Sequence, residues 1–225
     1  MAKHSRLETL AAIKSIGLVP VFYKPEAEKV CRIAAACAEG GAKVVEFTNR
    51  GDRAIDVFKE LAYYRDEKLP ELIIGAGSVS DGSTAAMYIA AGADFIVSPI
   101  LDRETALLCN KRKIPYSPGC GSATEIHNAH ELGVEICKIF PGAQVGGPAF
   151  AKAIKAPMPW TELMPTGGVS PTDESLEEWF SAGIAAAGIG SKLIKGSFTS
   201  EEEYEKLTEK AAEIIRKISE IRARL

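Results

Sequence analysis

Apolar and polar positions along this chain alternate between two textures. Residues 5–15, "SRLETLAAIKS", carry apolar positions at helical spacing, and "GLVPVFY" (17–23) is a short apolar run of the length a buried strand needs. "KPEAEKVCRIAAACAEGG" then reads as a helix that opens on Pro25 and stops at Gly40 and Gly41, residues suited to helix entry and exit. "KVVEF" is the second strand. Further strands fit "ELIIGAG" (71–77), "DFIVSP" (94–99), "IPYSPG" (114–119), "VEICKIF" (134–140), "TELMPTGG" (161–168) and "IAAAGIG" (184–190).

The join from helix to strand recurs as a phrase: "EGGAKVVEF", "AAGADFIVS", "ELGVEICKI", "SAGIAAAGI". In each, a glycine able to take the left-handed conformation ends the helix and a short apolar strand begins almost at once. Eight strands in strict alternation with helices predict an α/β fold, a (β/α)8 TIM barrel with an extra N-terminal helix and a long C-terminal helix from about residue 200. An open, doubly wound sheet is the other arrangement this alternation permits; the strand count favours closure. The last helix, "EEEYEKLTEKAAEIIRKISEIRARL", is amphipathic, acidic first and basic last, which suits the helix dipole and a role in packing or in an oligomer contact. No linker interrupts the pattern, so residues 1–225 are expected to form a single barrel domain.

Composition narrows the function classes. With 46% hydrophobic and 25% charged residues the chain has ample material for a core, and a formal charge of -3 with scattered Lys and Arg gives no basic footprint for nucleic acid. The N-terminus lacks the apolar core of a signal peptide, and no apolar run approaches the ~20 residues that span a bilayer, so a cytoplasmic protein without a membrane partner is expected. Cys31, Cys37, Cys109, Cys120 and Cys137 are an odd set without CxxC spacing, read as reduced and mostly buried thiols.

In a barrel of this kind chemistry belongs at the C-terminal ends of the strands. The stretch "GVEICKIFPGAQVGG" (133–147) carries Lys138 inside a strand with no polar face: Ile136, Lys138 and Phe140 point one way, Cys137 and Ile139 the other. An unpaired ammonium there is costly, and proteins respond by pairing it or lowering its pKa. Glu46 lies near the end of the second strand on one face with Val44 and Thr48, aimed at the same barrel mouth. The two residues make either a buried ion pair of purely structural use or the equipment of Schiff-base chemistry. In the second case a partly neutral amine attacks a ketone and a carboxylate moves protons, with no metal involved.

Two glycine-rich loops add a further element. "MPTGGVSP" follows the seventh strand and "GIGSKL" the eighth, where it is expected to open a short helix; barrels hold phosphate at this place on backbone N–H groups and a helix N-terminus. "EIHNAHE" puts His127 and His130 beside Glu131, but no third ligand accompanies them and the segment reads as a solvated helix face, so no metal site is expected.

Taken in order, "GAKVVEFTNR", "IIGAGSV", "FIVSP", "YSPGCGSATE", "KIFPG" and "MPTGGVSP" resemble the 2-keto-3-deoxy-6-phosphogluconate (KDPG) aldolases, a class I family that includes 4-hydroxy-2-oxoglutarate aldolases, over roughly residues 17–196. The resemblance implies Lys138 as Schiff-base lysine and Glu46 as proton shuttle. It places the substrate carboxylate on Arg50 and Ser78, the latter standing where the family has threonine, with Phe140 walling the pocket. The P-T-G-G motif falls on Pro165 to Gly168, so that Thr166, Gly167 and Gly168 join Gly190 and Ser191 in binding substrate and its phosphate. It also implies a small-molecule substrate, no cofactor and a homotrimer.

Three positions depart from the family pattern: Tyr23 stands where many relatives have arginine, Ala123 falls in "SATE" where many have T-P-x-E, and Ala143 replaces an acidic residue. These bear on substrate range rather than on the catalytic pair. The implied reaction is cleavage of 2-keto-3-deoxy-6-phosphogluconate to pyruvate and glyceraldehyde 3-phosphate, with 4-hydroxy-2-oxoglutarate as a further substrate. A phosphate-binding isomerase or epimerase, or a non-catalytic barrel used for assembly, would share the glycine loops without needing an imine.

Overall fold

The computed structural model describes residues 2–225. Its parallel strands are β1 (Leu18–Phe22), β2 (Val44–Thr48), β3 (Ile73–Gly77), β4 (Phe95–Val97), β5 (Tyr116–Ser117), β6 (Gly119–Cys120), β7 (Ile136–Ile139), β8 (Glu162–Pro165) and β9 (Ala187–Ile189). They pair in the order β5-β4-β3-β2-β1-β9 and β6-β7-β8, and a bridge between Thr166 and Gly188 joins β8 to β9. The segments β5 and β6 are the two halves of the predicted strand 114–119, interrupted at Pro118. Proline has no N–H for the ladder, and here its carbonyl instead accepts from Lys138 N at 3.0 Å. Counted as one strand, the two halves complete a ring of eight, the barrel expected from the sequence.

Each phrase that ends a helix behaves as its glycine requires. Gly41, Gly92, Gly133 and Gly183 have φ of 90°, 103°, 77° and 83°, the left-handed region closed to most side chains. Strand residues then alternate strictly. Val19, Val21, Val44, Ile73, Phe95, Val97, Ile136 and Met164 fill the inside of the ring. Leu18, Val45, Phe47, Ile74, Ile96, Cys137 and Ile139 face outward, where the helices cover them.

Helix α1 (Arg6–Ile16) begins with a reciprocal capping box between Ser5 and Glu8. Its Ile13 joins the interior cluster, with Leu10 and Ala12 packed against it, so the helix closes the N-terminal end of the ring. Arg6 binds Glu135 at 2.7 Å and Lys14 pairs with Glu162, both acidic residues lying at strand entries. The long helix α9 (Glu201–Arg222) packs on α2 (Ala27–Glu39) and α8 (Asp173–Ser181), and Arg222 donates to the carbonyls of Lys14 and Ser15 at 2.8 and 3.0 Å. No described helix is long and apolar enough to cross a membrane.

A buried ion pair, not foreseen from the sequence, lies at this closed end. Arg65 on α3 (Ala54–Lys68) donates to Asp94 Oδ2 at 2.6 Å, and both side chains are fully buried. Asp94 also accepts from the backbone N–H groups of Lys3 (2.8 Å), His4 (3.1 Å) and Ile74 (3.0 Å). All five cysteines are buried and unpaired.

Candidate active site

Glu46 on β2 and Lys138 on β7 stand on opposite walls of the ring, four strands apart, and both point inward near the C-terminal ends of their strands. Glu46 is 1% exposed and Lys138 5%. No hydrogen bond or ion pair joins them, and Glu46 Oε2 has no hydrogen-bond partner at all. The purely structural ion pair is thereby set aside, since such a pair must be in contact to offset the loss of water.

Burial acts on both groups in the direction of neutrality. It raises the Glu46 carboxyl above its ordinary range, opposed by the positive charges of Lys138 and Arg50. It lowers the Lys138 ammonium below its ordinary range, assisted by Arg50 and opposed by Glu46. The result is an amine able to exist in its nucleophilic form and a carboxyl able to give or take a proton.

The barrel mouth holds a cavity of about 370 Å³. Of the residues singled out in the sequence, Arg50, Phe140, Thr166, Gly167, Gly168, Gly190 and Ser191 line it, joined by Tyr23 and Thr48. Glu46, Lys138 and Ser78 do not line it. Glu46 and Lys138 lie deeper: Lys138 Nζ is 4.7 Å from the ring centroid of Phe140, so one aromatic side chain links the amine to the cavity wall. Ser78 is half-buried just past β3, in the left-handed region at φ 58°, and the structure does not bring it to the cavity beside Arg50.

Two loops interlock at the rim. Gly142 N and Ala143 N donate to the carbonyls of Thr166 and Gly167 at 3.0 and 3.2 Å, which ties the loop after β7 to the loop after β8. Gly167 and Gly168 have φ of 83° and 91°, and a Cβ on Gly168 would strike Ala143 N at 2.9 Å. Position 143 therefore abuts the glycine loop, and the departure to alanine there leaves space for it. Thr166 Oγ1 is buried without a partner.

The helix expected at "GIGSKL" is absent: this segment is a single turn in which Leu193 N and Ile194 N both donate to Gly190 O at 2.9 Å. With two consecutive amides committed to one carbonyl and no helix following, there is no macrodipole at this rim. The amides of Gly168 and Ser191 make no hydrogen bond within the described protein, whereas that of Gly167 falls in the bridge between Thr166 and Gly188.

Gly77 is the residue the motif reading passed over. A Cβ there would overlap the Glu46 carboxylate, and one on Gly75 would overlap the Phe95 ring. The bare backbone of β3 is thus what lets Glu46 lie flat against the wall. The signal was present in "IIGAGSV", where two glycines inside a strand mark close approach. His127 lies 3.7 Å from Glu131 on an exposed face of α6 (Ala123–Glu131), and the described residues contain no cluster of three or more His, Cys, Asp or Glu side chains suited to a metal ion.

Comparison with known proteins identifies the family. Residues 10–210 match the aldolase family described as "KDPG and KHG aldolase". The 2-dehydro-3-deoxy-phosphogluconate aldolase of Pseudoalteromonas atlantica is 32% identical over 215 residues, covering 96% of this chain and 97% of that protein. The enzyme of the same name from Pseudomonas aeruginosa is 35% identical over 168 residues, 75% of this chain and 74% of its own. Among solved structures, KDPG aldolase from Legionella pneumophila, with pyruvate captured as a covalent carbinolamine, superposes with a TM-score of 0.81 at 29% identity, covering 90% of this chain and 96% of that one.

Proposed function

The chain belongs to the KDPG and KHG aldolase family, and we propose that within it Lys138 is the nucleophile and Glu46 the proton-transfer group of a pyruvate-releasing aldolase. Class I aldolase activity on 2-keto-3-deoxy-6-phosphogluconate or related 2-keto acids follows from membership. The observation that carries the residue assignment is the presence of two inward-facing, buried ionisable groups that form no ion pair with each other.

The reaction runs as follows. The Lys138 amine attacks the C2 ketone to give a carbinolamine, and loss of water leaves a protonated imine. When Glu46 removes the proton of the C4 hydroxyl, the C3–C4 electrons flow into the iminium and the bond breaks to an enamine and an aldehyde. Proton return to C3 gives the pyruvyl imine, and water releases pyruvate and the free amine. Arg50, a planar cation at the cavity wall, is placed to hold the carboxylate on C1 through both oxygens. Ser78 keeps a hydroxyl close to the Glu46 strand, and its part in carboxylate binding requires the loop after β3 to turn toward Arg50.

The phosphorylated substrate is favoured by the free amides of Gly168 and Ser191 beside Thr166, Gly167 and Gly190. The same reading takes residues 1–225 as one catalytic domain in the cytoplasm. It takes the assembly as a homotrimer, for which exposed Tyr63 (70%) and Met87 (54%) on α3 and α4 (Gly82–Ala90) offer apolar surface. Pyruvate with borohydride tests the centre of the proposal: an irreversible mass gain localised to Lys138 is expected, and a protein with no adduct at neutral pH overturns it.

A further inference from the structure

We propose that Lys24 and Lys192 are the side-chain cations that hold the substrate's phosphate monoester, and that they set the preference for phosphorylated over unphosphorylated substrate; this rests on the aldolase reading above. Both lysines line the mouth cavity together with Arg50 and the glycine loops. Each is strung between two loops. Lys24, just past β1, donates from Nζ to the carbonyl of Gly196 in the loop after β9 at 2.7 Å, and lies 5.4 Å from the Phe198 ring centroid. Lys192, in that same loop, donates from Nζ to Ser170 Oγ in the loop after β8 at 2.5 Å.

The partners decide what these lysines are free to do. Elsewhere Lys14, Lys59, Lys206 and Lys217 are neutralised by carboxylates. At the mouth, a carbonyl and a hydroxyl orient Lys24 and Lys192 without cancelling their charge, and neither forms an ion pair with a described carboxylate. An ammonium has three N–H donors, so each keeps two for an incoming anion after its structural bond is made. Arg50, equally without an ion-pair partner, accounts for the single charge of a carboxylate. Two further positive charges match the dianion of a phosphate monoester, which lysine binds as a point charge. The absence of a helix after Gly190 strengthens the argument: the free amides of the glycine loops supply hydrogen bonds, but no helix dipole supplies charge, so the charge is left to side chains.

Steady-state kinetics on 2-keto-3-deoxy-6-phosphogluconate and on 4-hydroxy-2-oxoglutarate, with wild type, Lys24→Met, Lys192→Met and Lys192→Arg, test this. Each methionine variant is expected to lower the ratio of kcat/KM for the phosphorylated over the unphosphorylated substrate by roughly ten-fold or more, through KM, the scale of one lost charged hydrogen bond. Inhibition by inorganic phosphate should weaken in parallel, and Lys192→Arg should keep most of the ratio. Trapping of pyruvate by borohydride in the same proteins separates the two levels of the argument. With trapping intact, an unchanged ratio, or equal losses on both substrates, reduces the lysines to loop stitching and overturns the proposal. Failure of trapping in the wild type removes the aldolase reading itself, and the proposal with it.

Discussion

At the closed end of the barrel, the Asp94 carboxylate is enclosed by one guanidinium and three backbone N–H groups. Near the open end, Glu46 is just as buried, yet one of its oxygens has no partner and its opposite charge is out of contact. A buried ion whose hydrogen bonds are all made is a fixed joint, and here it pins the N-terminal segment and α3 to the entries of β3 and β4. A buried ionisable group left unsatisfied is held in place by the surrounding fold at a cost in stability. Groups held at such a cost concentrate at functional sites, which is the ground for the role proposed for Glu46.

The sharpest way to break the contrast is Lys138→Arg. Guanidinium stays protonated and cannot form an imine, so turnover and the borohydride adduct should both vanish while the protein remains folded by circular dichroism. Turnover surviving in a clean preparation would move the chemistry elsewhere. Glu46→Gln comes next: kcat should fall by roughly 10²- to 10⁴-fold, the scale of a lost positioned acid or base, and a near-normal kcat assigns proton transfer to another group. Asp94→Asn should act in the opposite manner. Urea unfolding should show a loss of ~3 kcal/mol, as for a broken buried pair, with kcat per folded molecule retained. A variant that lost activity but not stability would erase the distinction between the two ends.

The smallest effect is in the pH dependence of stability. Burial lowers Lys138 below its ordinary 10.5, so between the folded value and 10.5 the unfolded chain binds more protons and stability rises with pH. Glu46 is raised above its ordinary 4.5, so the folded state binds more protons from 4.5 up to its folded value and stability falls as pH climbs through that window. In Lys138→Met the first window is lost. The stability of wild type minus that of the variant should therefore climb as pH approaches 10.5, a slope read from urea titrations at several alkaline pH values. A flat difference would mean that the fold leaves the proton affinity of the ammonium unchanged.

Local signals in the sequence reached far into this structure. The four glycines that end helices, the inward alternation of Val44, Glu46 and Thr48, and the burial of Lys138 all follow from short-range patterns, because backbone handedness and strand periodicity act over a few residues. What escaped was set by distance in the chain. Arg65 and Asp94 are 29 residues apart, and in sequence Arg65 reads as one more charge on a solvated helix. Lys24 meets Gly196 across 172 residues, a contact made only by ring closure. The break of the fifth strand was visible as Pro118, whereas the turn that replaces a helix after Gly190 depends on Leu193 and Ile194 being drawn into the core, where both are buried.

The plug formed by α1 beneath the ring leaves the cylinder with a single doorway. With Lys138 below Phe140 as the proposed Schiff-base residue, the pyruvyl group would lie farther from that doorway than the aldehyde fragment at the rim. Traffic through one opening is a queue: the aldehyde departs first and pyruvate last, and in the synthetic direction pyruvate must be admitted first. Product inhibition should carry that order, with pyruvate competing against the sugar acid for the empty enzyme and the aldehyde giving a noncompetitive pattern.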